Sequence, residues 1–270
     1  MKVQSINNNM TFNAGLTKQM KSEISACNVE NIEKLFAKNN INTDFKNNKV
    51  LAWCSAKCFQ FIKELNRKYN LNLGVPEGIF VEDFRDLKNI NEYSAGFTNF
   101  APAYLYRNKD VVVPEKTIFF NTNEIDWNEI DSIADKCFER GISTTDFFLE
   151  NVLHEFMHVI HENNLLKKLG GEEVVKRLIS ICDPVYIDNF ILKHSKSLSK
   201  ICHYAASNPM ETVACDLANR GVKSINKENL SVSGNIFKSS PYEKKLHIGI
   251  NRKTKNDILL RQFWNGKFSV

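Results

Sequence analysis

Apolar positions recur along this chain mostly at helical spacing, and only briefly at strand spacing. The clearest helical stretch is 50–69, where Leu51, Cys54, Cys58, Phe61 and Leu65 line one side. A shorter helix is predicted over 29–39. Loose alternation around Ile79 and Val81 predicts a strand within 71–84. The apolar runs 111–113 and 117–120, on either side of Pro114, predict two more. From Ile125 to the middle 220s the pattern is helical almost throughout. Helices are predicted over 127–140, ended by Gly141, and from a start signal at Ser143 and Asp146 to about Asn163. Others are predicted over 172–182, stopping near Pro184, and over 186–205. The helix predicted from Asn208 to Gly221 has the strongest local start, with Asn208 as cap, Pro209 in the first helical position and Glu211 in the third. Leu246–Ile250 is a further strand candidate. The pattern predicts an α+β fold, predominantly helical, with a small mixed sheet.

The helix ending near Asn163 carries His154-Glu155-Phe156-Met157-His158. Two histidines four residues apart on a helix project from one face. Their ring nitrogens can meet around one zinc ion at about 2.0–2.1 Å. Glu155, next to the first histidine, is placed to take a proton from a water activated at that ion. The opposite side of the helix carries Phe148, Leu149, Val152, Leu153, Phe156, Met157, Val159 and Ile160. One side therefore anchors the helix while the other presents imidazoles and carboxylates, as a rigid site requires.

A catalytic zinc keeps three protein ligands and an open position. Glu211 is the candidate third ligand. It stands at the margin of the apolar face formed by Met210, Val213, Ala214, Leu217 and Ala218, whereas Asp216 points well away. A capping role is the alternative, because a Glu three residues after an Asn cap can close a capping box. His161 competes as a ligand, but it lies roughly 10.5 Å along the helix from His154, too far for one tetrahedral ion on a straight helix. His203 and Asp216 are further candidates, as ligands or as partners that orient a ligating imidazole. For an oxyanion donor, Tyr204, His203, Tyr186 and His247 are all candidates.

Composition narrows the class. With 270 residues, 43% of them hydrophobic, the chain can build a sizeable core and a cleft. The net charge of +5 is spread over small groups and forms no basic, aromatic-interleaved stripe, which argues against nucleic-acid binding. No run is long enough to span a membrane. Residues 1–20 read as a flexible arm without the apolar centre of a secretory signal, and residues 21–270 read as a single domain. That predicts a cytoplasmic protein, or one exported by a route that needs no such signal. The seven cysteines form no short-spaced framework and read as free thiols. Cys54 and Cys58 share a helix face, but nothing nearby completes a four-ligand metal set.

Through HEFMH at 154–158, the chain resembles the zincin metallopeptidases. NPMETVACDLA at 208–218 is similar to the gluzincin branch, which uses a downstream helical Glu. The resemblance implies a zincin-like domain with its small sheet above the motif helix, and peptide-bond hydrolysis of a protein or peptide substrate. His154, His158 and Glu211 would then be zinc ligands and Glu155 the general base. It also implies an edge strand that pairs with extended substrate, for which Lys116–Asn121 is the candidate. Two departures stand out. Gluzincins often carry an Asp four residues after the ligand Glu, where this chain has Cys215, followed by Asp216. Metzincins require Gly at 161 and His at 164, where this chain has His161 and Asn164. Two other functions compete: a non-catalytic interaction protein on the same scaffold, and a hydrolase of non-peptide amides.

Overall fold

The structure, a computed structural model, describes residues 15–123, 125–232 and 255–268. Four short strands form a mixed sheet: β1 (Asn42–Asp44), β2 (Gly78–Glu82), β3 (Gly96–Asn99) and β4 (Thr117–Asn121). Their order is β1-β2-β4-β3. The first three in that order run parallel, and β3 runs antiparallel to β4, with Thr98 opposite Ile118. Successive side chains point to opposite faces of a strand. Ile79, Val81, Ile118 and Phe120 accordingly join the main core. Phe119 joins a smaller cluster with Phe84, Leu87, Leu105, Tyr106 and Val113 on the other face. Both faces are covered, which is why β4 reads as an unbroken apolar run rather than an alternating one.

The helices are α1 (Lys18–Ser25), α2 (Val29–Ala37), α3 (Lys49–Tyr69), α4 (Ile130–Glu139) and α5 (Leu149–Leu169). They are followed by α6 (Gly171–Ile181), α7 (Pro184–Leu198), α8 (Pro209–Ser224) and α9 (Lys255–Trp264). A two-stranded pair, β5 (Ile225–Asn226) and β6 (Ser231–Val232), follows α8. The fold is therefore α+β, predominantly helical with a small mixed sheet. Among the described residues, no helix is long and apolar enough to cross a membrane.

Helix α5 lies at the centre. Val152, Phe156, Val159 and Ile160 are buried in the main core, and burial of a side chain of that size contributes about 1.5–3 kcal/mol. The polar side is buried as well. Glu155, His158, His161 and Glu162 are all shielded from solvent, so α5 is not an amphipathic surface helix. Leu153 reaches α8 beside Gly221, where an added Cβ would come within 2.8 Å of Leu153 Cδ2. The missing side chain at Gly221 lets the two helices approach closely.

Several boundaries differ from the sequence reading. The start signal at Ser143 and Asp146 does not cap α5. The Ser143 hydroxyl donates to the Thr145 carbonyl, and α5 begins at Leu149 without a side-chain cap. The Glu150 carboxylate instead holds the approach, accepting the backbone N–H groups of Thr144 and Thr145 at 2.7 and 2.8 Å. Residues 111–113 form no strand: Val111 and Val112 are exposed, and Val113 makes a single bridge to Ala103. The helix expected over 186–205 ends at Leu198, and a separate 3-10 turn covers Tyr204–Ala206. The arm expected over 1–20 lies mostly outside the described residues, but Lys18–Met20 belong to α1 and Met20 is buried. Leu246–Ile250 also lies outside them. Strand β4 is interior, between β2 and β3, so Lys116–Asn121 is not an edge. The edge nearest α5 is β3.

Candidate metal centre

His154 and His158 stand one turn apart on α5, and Glu211 lies in the first turn of α8. Asn208 starts α8 by accepting the backbone N–H groups of Met210 and Glu211 at 2.9 and 3.0 Å. This cap fixes where Glu211 emerges. Its carboxylate turns to the histidines rather than closing a capping box. Glu211 Oε2 stands 3.0 Å from His154 Nε2 and 3.3 Å from His158 Nε2, and the two Nε2 atoms are 3.0 Å apart. Each contact needs a shared proton, or a cation in its place.

Among the described residues, this is the one group of three or more His, Cys, Asp or Glu side chains whose donor atoms all converge within 4.8 Å. Donors at about 2.0–2.1 Å from a tetrahedral ion stand roughly 3.3–3.4 Å from each other. A triangle with edges of 3.0, 3.0 and 3.3 Å is close to that spacing. The side chains of His154 and Glu211 are 14% and 15% exposed, against 4% for His158. The cluster is therefore seated in the core with one side open to solvent.

The electrostatics follow from the same pairing. Burial disfavours a charged His154, but the Glu211 carboxylate outweighs it and raises the imidazole to about 9. Burial also disfavours a charged Glu211, yet the two imidazoles hold its carboxyl well below the usual carboxylate range.

Glu155 packs against β3. The Thr98 hydroxyl donates to Glu155 Oε2 at 2.7 Å. At Gly96, on the same face of β3, an added Cβ would stand 2.7 Å from Glu155 Oε1. The strand thus orients the carboxylate with one hydrogen bond and makes room for it with a bare backbone. Phe100, just past β3, meets the His158 ring edge-on at a centroid distance of 5.6 Å. Among the described residues, no strand pairs with the outer edge of β3.

The structure separates the remaining candidates. His161 is no ligand here: its Nε2 bonds the Phe263 carbonyl at 3.1 Å and its ring stacks on Trp264. Asp216 accepts Arg220 Nε at 2.7 Å. The His203 ring packs against Gly141, and its amide donates to the Gly141 carbonyl. The Tyr186 hydroxyl donates to the Phe268 carbonyl, and His247 lies outside the described residues. Tyr204 stays at the centre, its ring 5.9 Å from that of His154. The Glu211 charge pushes its hydroxyl well above the usual phenol value, so the group remains a proton-bearing donor.

Sequence reading missed Gly96 and Thr98, which come from a strand with no alternating apolar signal, and Phe100 just past it. It identified Cys215 only as a departure, whereas the structure sets Cys215 Sγ 3.9 Å from His154 Nδ1. All seven cysteines are free. The chain matches no family model, no curated protein and no solved structure, so the chemistry of the centre is argued from its own geometry.

Proposed function

We propose that this chain is a zinc-dependent metallopeptidase of the zincin type, with His154, His158 and Glu211 as metal ligands and Glu155 as general base. The convergence of three donors from two helices, at spacings suited to a tetrahedral ion, carries the reading. The donor set also fits by type: two imidazoles and one carboxylate are a known catalytic zinc set, with a fourth position left for substrate or water. A bound zinc supplies a Lewis acid that activates water near neutral pH and polarises the substrate carbonyl.

The remaining steps fall to this chain's own side chains. Glu155 takes the proton of the attacking water on a carboxylate oxygen, then passes it to the leaving amine nitrogen. Thr98 keeps that carboxylate aimed while leaving its other oxygen free of this bond. Tyr204, whose ring lies beside that of His154, would donate a hydrogen bond to the oxyanion that develops on the substrate. Among the described residues no strand pairs with the outer edge of β3, and its half-buried Gly96 and Phe97 leave that end open to an extended peptide beside the base. That edge favours a protein or peptide substrate over a small amide.

The test is Glu155→Gln. The parent is expected to bind about one zinc per chain and to cleave an unfolded protein or a peptide library. The variant should keep the zinc and lose roughly 10²–10⁴-fold in hydrolysis. Undiminished cleavage by the variant would refute the base. If the biological role survives without cleavage, the interaction-protein reading takes over.

A further inference from the structure

Cys215 lies one turn beyond Glu211 on α8 and is buried against the rear of the proposed metal ligand His154. The contact is with Nδ1, the ring nitrogen opposite the Nε2 that faces Glu211. When Nε2 gives its lone pair to a cation, Nδ1 carries the proton and needs an acceptor. Here that acceptor is a sulfur. A second sulfur stands behind it. Cys202 packs with Cys215 and Ala205 in a small separate buried cluster. Cys202 Sγ also accepts the Ala205 amide at 3.3 Å. Both thiols are free. Cys202 and Cys215 are 5% and 3% exposed, and the two residues after Cys202, His203 and Tyr204, are exposed.

We propose that Cys202 and Cys215 form an oxidisable dithiol that loosens the hold of His154 on its metal ion when the two sulfurs join. The proposal rests on the zinc reading of the trio. The oxidant is a peroxide. One thiol, as its thiolate, attacks a peroxide oxygen and becomes a sulfenic acid, releasing water once the displaced hydroxide is protonated. The second thiol attacks that sulfenic sulfur, and its proton leaves with the hydroxyl as a second water. Two electrons pass from the sulfurs to the peroxide, and one S–S bond replaces two S–H bonds. The linked Cys215 sulfur is drawn toward Cys202 and away from Nδ1. His154 then loses the partner that orients its ring.

The experiment uses the full chain, reduced with a phosphine so that no thiol reagent competes for metal. Zinc affinity is read by competition with a chromogenic chelator, before and after hydrogen peroxide. Peptide mass mapping identifies the sulfurs that have joined. The expected product is a Cys202–Cys215 cross-link lacking two hydrogens, with zinc affinity lowered about tenfold and restored by the phosphine. Cys202→Ser, whose hydroxyl can still accept the Ala205 amide, should match the reduced parent within about twofold and ignore peroxide. Cys202→Ala is the second variant, with the same expectation. Peroxide that oxidises the exposed Cys182 and leaves Cys202 and Cys215 unlinked overturns the proposal. So does a cross-link that leaves zinc affinity unchanged. Failure of the reduced parent to bind zinc is a separate result and sinks the metal centre itself.

Discussion

His154 and His161 stand on the same helix, the first half-buried and the second fully buried, and their imidazoles are driven in opposite directions: His154 up to about 9 and His161 down to about 3. Burial pulls both down. The front of α5 faces α8, where the Glu211 carboxylate reverses that pull. The rear faces α9, where His161 meets a backbone carbonyl and the flat ring of Trp264, and among the described residues no carboxylate raises it. One end of the helix is built to hold positive charge and the other to exclude it. What reverses the direction at His154 is the carboxylate that a second helix brings up.

Removing that partner is the strongest way to erase the contrast. In Glu211→Ala, zinc affinity should fall by more than the roughly 10–100-fold that an outer partner of a metal ligand is worth. Asp216→Asn, which disturbs the pair with Arg220, should cost less. Equal zinc affinity in Glu211→Ala and the parent would remove Glu211 from the ligand set.

At the rear, Trp264→Ala should remove the stacking platform and destabilise the fold by about 3–5 kcal/mol in urea unfolding. Zinc affinity of the folded fraction should stay within about twofold of the parent. A drop as large as that of Glu211→Ala would mean that the two ends act as one unit.

The finest test uses acid. The folded value of His161 lies below its unfolded value of about 6.5. Its stabilising contribution is therefore complete above about pH 6.5 and is lost as pH falls toward about 3. His161→Phe keeps a ring on Trp264 but has no proton to gain. Its stability should fall less steeply across that window, by up to about 1.4 kcal/mol per pH unit. Parallel stability curves for variant and parent between pH 6.5 and 4 would show that His161 is not held neutral.

The helices were largely legible because amphipathic periodicity survives when a helix is packed by several neighbours. Helix α3 was read to within a residue of its observed bounds for that reason. The clustering of His154, His158 and Glu211 was legible too, because the two histidines share a helix and the Asn208 cap announces the segment bearing Glu211. Strands β1 and β3 were not. Asn42–Asp44 is polar throughout, and Gly96–Asn99 carries one apolar side chain, Phe97. Their strand state comes from the neighbours they pair with, which no local pattern records. The same holds for what orients the site: Thr98 reaches Glu155 from another element, and Cys215 reaches His154 across the contact between two helices. The run 111–113 misled in the other direction, since β-branched residues followed by Pro114 look like a strand yet leave two valines in solvent.

The hydrogen that serves as the side chain of Gly96 sets a clearance. Strand and helix cannot press closer without a collision at Glu155, and they cannot separate without parting Thr98 from its acceptor. The gap between them has a single setting, held from both directions by residues outside the five-letter signature. A transplant of that signature into another scaffold would therefore carry the imidazoles faithfully and leave the carboxylate without its gauge.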